Sequence, residues 1–287
     1  MTELRLWKYQ ATGNDFLLWH DPDDDRPVAP DEVAALCDRR FGVGADGAIR
    51  VTRDRDDRPS MDYRNADGSL AETCGNGLRC VAVFLRDLGA APGDGVEVAT
   101  RSGLRRTEVL PDGRVRVDMG RPNFTKAAIP MRGPAWETFL GQPLDLGGDV
   151  RLTAGAVSIG NPHLVLFLDE EPERYHVSHI GAVLERDDRF PEGTNVEFAR
   201  VGDGGRIAAR VWERGSGETM ACGSGACAIA VTANEMGLVE GAVVVRFPGG
   251  PLEVERSADG PVLLTGAARR VFETTVDPAA LVEARPA

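Results

Sequence analysis

Runs of apolar residues broken by single polar positions predict strands at Leu4 to Tyr9 and Phe16 to Trp19, then at Ala48 to Thr52 and Ser60 to Tyr63. Between them, Asp31 to Arg39 reads as a helix that opens near Pro30. The pattern then changes. Leu78, Val81, Ala82, Leu85 and Leu88 share one helical stripe, Val83 and Phe84 widen it, and Gly89 stands at its end. So broad a stripe predicts a helix buried on most sides. From Ala226 to Met236 only Thr232, Asn234 and Glu235 are polar, which predicts a second such helix. Strand patterns follow the first helix at Val96 to Thr100, Leu104 to Leu110 and Val115 to Met119. They follow the second at Val243 to Phe247, Leu252 to Glu255 and Val262 to Leu264.

The two runs are copies of one another. Gly13-Asn14 parallels Gly160-Asn161, Cys74-Gly75-Asn76-Gly77 parallels Cys222-Gly223-Ser224-Gly225, Gly89 parallels Gly237 and Gly120 parallels Gly266, in one order and at a nearly constant spacing. A unit used twice predicts two pseudo-symmetric α/β (α+β) domains, each a sheet wrapped around one helix. Packing about a pseudo-twofold axis would bring equivalent loops, and with them Cys74 and Cys222, to a shared cleft. Gly120, Pro122 and a break in patterning put the boundary there, giving domains 1–121 and 122–270, with Val271 to Val276 returning residues 271–287 to the first. A chain of 287 residues is also near the size at which one core gives way to two.

Composition removes several function classes. A net charge of -12 opposes binding to nucleic acid or an anionic membrane surface, and charge clusters such as Asp23-Asp24-Asp25 read as solvated loops. The start, MTELRLWKYQ, lacks a basic and apolar leader, and no apolar run reaches membrane-spanning length, so a cytoplasmic location is expected. Five cysteines in such a chain read as reduced thiols.

Gly42, Gly44 and Gly47 spell GxGxxG, but a helix precedes them and a strand follows, the reverse of a dinucleotide fingerprint. The spacings Cys74 to Cys80 and Cys222 to Cys227 do not match zinc-ligand pairs, and Cys37, Cys80 and Cys227 fall inside predicted helices as inert core thiols. Cys74 and Cys222 differ, because each stands where a glycine-rich loop enters a helix. Unpaired amides and the positive end of the helix dipole favour a thiolate there, and the same amides at Gly75-Asn76 and Gly223-Ser224 suit a carboxylate ligand. His163, assigned the repeat position of Asp15, and Glu213-Arg214 would be unremarkable elsewhere, but they lie in loops that the repeat directs toward the cleft.

Six segments resemble the diaminopimelate epimerase family: ATGNDF (Ala11 to Phe16), FGVGADG (Phe41 to Gly47), NADGSLAETCGNGLRC (Asn65 to Cys80), GNPH (Gly160 to His163), RFPEGTNVEF (Arg189 to Phe198) and ERGSGETMACGSGACA (Glu213 to Ala228). The resemblance implies a diaminopimelate epimerase-like fold of two β-barrel-like sheets around central helices. It also implies cofactor-independent epimerisation of LL-2,6-diaminopimelate to the meso form, in lysine and peptidoglycan precursor biosynthesis. By the same resemblance Cys74 and Cys222 are the catalytic thiols, and Asn14, Asn65, Gly75, Asn76, Asn161, Asn195, Glu213, Arg214, Gly223 and Ser224 contact substrate. His163 and Glu213 tune the thiols, no metal or cofactor takes part, and a homodimer is compatible with the pattern. The chain departs from some members at Gly47, where they carry a substrate-touching glutamine; one contact is lost, and affinity rather than reaction is expected to change. A related racemase or isomerase acting on another amino acid competes with this reading, as does a non-enzymatic anion-binding or redox module.

Overall fold

On the first three strands of the first half, which start at Leu4, Asn14 and Gly47, adjacent positions are buried on both faces, because helices cover both sides of the sheet there. The protein is described from a computed structural model over residues 3–71, 74–91, 93, 95–145, 151–256 and 260–284. The elements of this half are β1 (Leu4–Ala11), β2 (Asn14–His20), α1 (Pro30–Cys37), β3 (Gly47–Arg53), β4 (Pro59–Asn65), α2 (Gly75–Asp87), β5 (Gly95–Thr100), β6 (Gly103–Val109) and β7 (Val115–Asp118). Leu6, Leu17 and Trp19 pack with Val33 and Leu36 of α1 on one side. From the other side Trp7, Tyr9 and His20 meet Phe84 of α2, with ring centroids 5.3, 5.8 and 6.3 Å apart. The hairpin between β1 and β2 turns at Thr12-Gly13, both at positive φ (50° and 85°), which sets Asn14 at the mouth of the sheet.

The second half contains β8 (Gln142–Asp145), β9 (Arg151–Ser158), β10 (Pro162–Phe167), α3 (Val177–Glu185), β11 (Asn195–Val201), β12 (Arg206–Glu213), β13 (Gly217–Thr219), α4 (Gly223–Glu235), β14 (Val243–Phe247), β15 (Gly250–Arg256) and β16 (Val262–Gly266). The chain ends in β17 (Arg269–Val276) and α5 (Pro278–Glu283). Contacts divide it into one unit running to Val117 and resuming at Gly266, and a second from Asp118 to Thr265. The return segment therefore begins at Gly266, ahead of the Val271 that strand patterning picked out.

Within each unit the strands pair in the same way. In the first, β17 pairs antiparallel with β1 and β1 with β2; β2 then runs parallel to β3, β3 antiparallel to β4, β4 parallel to β5, and β5, β6 and β7 follow antiparallel. In the second, β8, β9, β10, β11, β12, β14, β15 and β16 repeat that order and those directions, with β13 as an addition on β12. The strands of each unit surround its central helix: α2 packs on β1, β2, β4, β6 and β17, and α4 on β9, β10, β11, β14 and β15. The duplication seen as scattered glycines and cysteines is thus a duplication of the whole pairing scheme.

Register corrects one equivalence. Phe16 lies opposite Gly47 in the parallel pair of β2 and β3, and His163 lies opposite Asn195 in the matching pair of β10 and β11. His163 is therefore the counterpart of Phe16, not of Asp15, and faces inward toward α4. The loop before β10 is one residue out of step with the cysteine-based spacing, and one residue turns a side chain to the other face of a strand.

Candidate active site

Each central helix begins at a cysteine. Cys74 caps α2 with φ -114° and ψ 120°, and Cys222 caps α4 with φ -119° and ψ 123°. A residue in this extended conformation directs its side chain to the helix mouth while the next amides point outward without helical acceptors. The amides of Gly75 and Asn76, and of Gly223 and Ser224, open the two helices and are suited to bind an anion. Cys80 and Cys227 lie fully buried in the bodies of the helices, and Cys37 is buried against β3, where burial first and the nearby carboxylates of Asp15 and Asp46 next push its thiol up to about 12. These three are core thiols.

Around Cys74 the polar groups form a chain. The Cys74 thiol points at the Asn14 side-chain oxygen at 3.9 Å, and the same oxygen accepts from Asn76 Nδ2 at 3.1 Å. Asn14 Nδ2 donates to Asp46 at 2.8 Å. Asn76 Oδ1 accepts from Arg79 Nη2 at 2.8 Å, and that nitrogen also reaches the Thr12 hydroxyl at 3.1 Å. Arg79 is fully buried. A cation one turn inside the helix, followed by the unbroken apolar run Cys80 to Leu85, is the signal in the sequence that marks it. Asn65 ends β4 opposite Gly47 and donates to the Ser69 hydroxyl at 3.0 Å.

Around Cys222 the polar groups are acidic and more deeply enclosed. Cys222 is 5% exposed; its sulfur accepts from the Gly225 amide at 3.4 Å and lies 3.5 Å from the Ser224 hydroxyl. A helix-entry position by itself eases a thiol toward ionisation. Burial, followed by the charges of Glu213 and Glu197, instead pushes Cys222 well above its ordinary value, against the hydrogen bonds from Ser224 and Gly225. The dipole of one helix does not offset desolvation beside two carboxylates. Glu213 is itself raised by desolvation, against hydrogen bonds from Thr219 and Cys222.

His163 and Glu197 form a pair with both side chains fully buried, Nδ1 to Oε1 at 2.6 Å, and His163 Nε2 lies 2.8 Å from Asn161 Oδ1. Asn195 donates to the Pro162 carbonyl at 2.9 Å and accepts from the Arg214 amide at 2.9 Å. The Arg214 guanidinium bonds the Glu192 carbonyl at 3.1 Å, at the edge of an open depression of about 430 Å³ that Arg132 and Glu185 also line. The second half-site thus joins Asn161, His163, Asn195, Glu213, Arg214, Cys222 and Ser224. Glu197 and Thr219 were missed, since a lone glutamate inside NVEF reads as an exposed strand position until three strands are in register.

Two half-sites of this form, each built on a central helix entered by a cysteine inside a duplicated sheet, define a class of fold shared with proteins of very different sequence. A hydroxyproline epimerase from Agrobacterium vitis, solved with trans-4-hydroxy-L-proline bound, has this fold with a TM-score of 0.68 at 16% identity over 97% of this chain and 94% of its own. A phenazine biosynthesis protein of the PhzF family from Bacillus anthracis matches with a TM-score of 0.68 at 15% identity, covering 96% of this chain and 99% of its own.

The family model described as diaminopimelate epimerase matches residues 6–125 and 155–271, and the chain belongs to that family. A diaminopimelate epimerase of Synechococcus sp. (strain JA-3-3Ab) is 43% identical over 96% of this chain and 98% of its own length.

Proposed function

We propose that this protein interconverts LL- and meso-diaminopimelate without a cofactor, Cys74 and Cys222 being the acid/base pair. The observation that carries the reading is the recurrence, in a chain of this family, of one cysteine cap with nearly equal dihedrals at the mouths of two equivalent helices. Inverting an α-carbon requires one group to take the proton from one face and another to deliver a proton to the opposite face. A thiolate and a thiol do this, exchanging roles with the direction of reaction. The Cys222 environment supports the thiol as its resting form, making it the proton donor in the direction that starts from that state.

The carbanion formed at the α-carbon needs charge stabilisation on its carboxylate. The amides at Gly75-Asn76 and Gly223-Ser224 supply fixed dipoles for that purpose, worth most where water is excluded. Asn14, Asn65, Asn161, Asn195 and Arg214 would read the remaining polar groups of a substrate with a second amino-acid head.

Replacement of either cysteine by alanine is expected to lower epimerisation by at least about three orders of magnitude, as loss of an essential acid or base does. In heavy water the wild-type enzyme should place deuterium in product before recovered substrate. Substantial turnover by either alanine variant, or early label in recovered substrate, rejects the two-thiol assignment.

A further inference from the structure

The two half-sites share a backbone plan and differ in what lines it. By register, the inward positions occupied by Phe16 and Ile49 in the first unit are occupied by His163 and Glu197 in the second. At the first turn of each helix the same point is filled by different chemistry. A Cβ placed on Gly77 would lie 3.1 Å from Ile49 Cδ1 and 3.6 Å from Cys74 Cβ. A Cβ placed on Gly225 would lie 2.9 Å from Glu197 Oε1, 3.1 Å from Cys222 Cβ and 3.4 Å from Cys222 Sγ. The fold therefore accepts hydrocarbon where the second unit holds a carboxylate beside its cysteine. Buried ion pairs seldom outdo apolar packing of the same volume in stability, so the pair at His163 and Glu197 calls for a reason other than filling space.

Hydrogen bonding supplies one. Both His163 nitrogens are engaged, Nδ1 with Glu197 Oε1 at 2.6 Å and Nε2 with Asn161 Oδ1 at 2.8 Å, so the ring is held from both ends. Glu197 Oε2 is buried and has no donor among the described residues. The charged groups facing Cys222 are Glu213 from β12 and Glu197 from β11, the latter paired with His163 of β10.

We propose that Glu197 is a positioning residue of the Cys222 half-site: its carboxylate fixes the His163 ring against Asn161 and, beside the Gly225 turn, sets a carboxylate oxygen next to the first turn that Cys222 caps. The proposal rests on the assignment of Cys222 as an acid/base group, yet its first test needs no turnover. Alkylation of Cys222 by iodoacetamide, followed by peptide mass spectrometry across pH, should show a midpoint lower by about one unit in Glu197→Gln, a tenfold gain in thiolate at a given pH below it. Glu197→Asp, which keeps the charge, should return the midpoint toward wild type.

The same Glu197→Gln variant should lose about tenfold in kcat/KM, equally in both reaction directions because the overall equilibrium is fixed, and the pH profile of kcat/KM should move with the alkylation midpoint. An unmoved alkylation midpoint with only a fall in Tm would make Glu197 a packing residue and overturn the proposal. Shifted alkylation in an enzyme inert toward diaminopimelate would instead sink the proposed reaction and leave the role of Glu197 standing.

Discussion

Gly47 shows how a single position is decided by its neighbours. The family resemblance reads its missing side chain as one contact fewer for substrate. A Cβ there would stand 2.6 Å from the Arg64 carbonyl oxygen and 2.7 Å from the Tyr63 ring, and a backbone oxygen paired in a sheet cannot give way. The Tyr63 ring, edge-on to Phe16 with centroids 5.6 Å apart, occupies the space a longer side chain would need. Gly47→Gln is therefore expected to destabilise the fold by about 1–3 kcal/mol through overpacking, without tighter substrate binding. A thermal melt beside a KM measurement checks this; an unchanged Tm with a lower KM would show that the pocket has room. Cys222 teaches a similar lesson about charge, since its helix-cap position was legible and its ionisation was not.

Among the elements, α2 and α4 were the most legible, because a stripe of apolar residues at helical spacing reports burial directly. Their starts were placed at Leu78 and Ala226, whereas the helices open at Gly75 and Gly223. The first turns are glycine and polar residues whose amides face ligand space, so they carry no apolar signal. At the other end of the first unit's order, α1 stops at Cys37 because Asp38 turns extended. Phe84 ties α2 to three aromatic rings on β1 and β2 and is fully buried. Phe84→Ala should cost about 3–5 kcal/mol, read as a lower urea midpoint with an unchanged slope. A loss under about 1 kcal/mol would mean that the helix is held elsewhere.

For the molecule as a whole, equal topology does not mean equal response to acid. In the first unit burial disfavours the Asp15 carboxylate, but hydrogen bonds from Arg39 and Lys8 outweigh it and lower its pKa from 3.8 to about 2. Asp21, buried and bonded by Arg50, is likewise held below its ordinary value. Carboxylates lowered in the folded state stabilise it above their unfolded pKa, and that stabilisation is lost as pH falls through the folded one. Glu213 in the second unit is raised, so the folded form binds its proton more readily than the unfolded chain, and acid relieves a cost there. Acidification from about pH 4 toward about pH 2 should thus open the first unit before the second, and Asp15→Asn should flatten that loss. Hydrogen exchange followed by mass spectrometry reads the order directly. Faster opening of the second unit would reverse the assignment.

The amino-acid sequence by itself determined that the chain is built twice, that each copy buries one helix, and that a cysteine stands at the entry of each. Periodicity and repetition are properties of one dimension and survive there intact. Only tertiary structure decided which side chains meet beyond those entries: His163 with Glu197, Arg79 with Asn76, Tyr63 over Gly47. Such meetings depend on register across three strands, where one residue of slip turns a side chain to the other face, and on burial, which sets whether a thiol or a carboxyl carries charge.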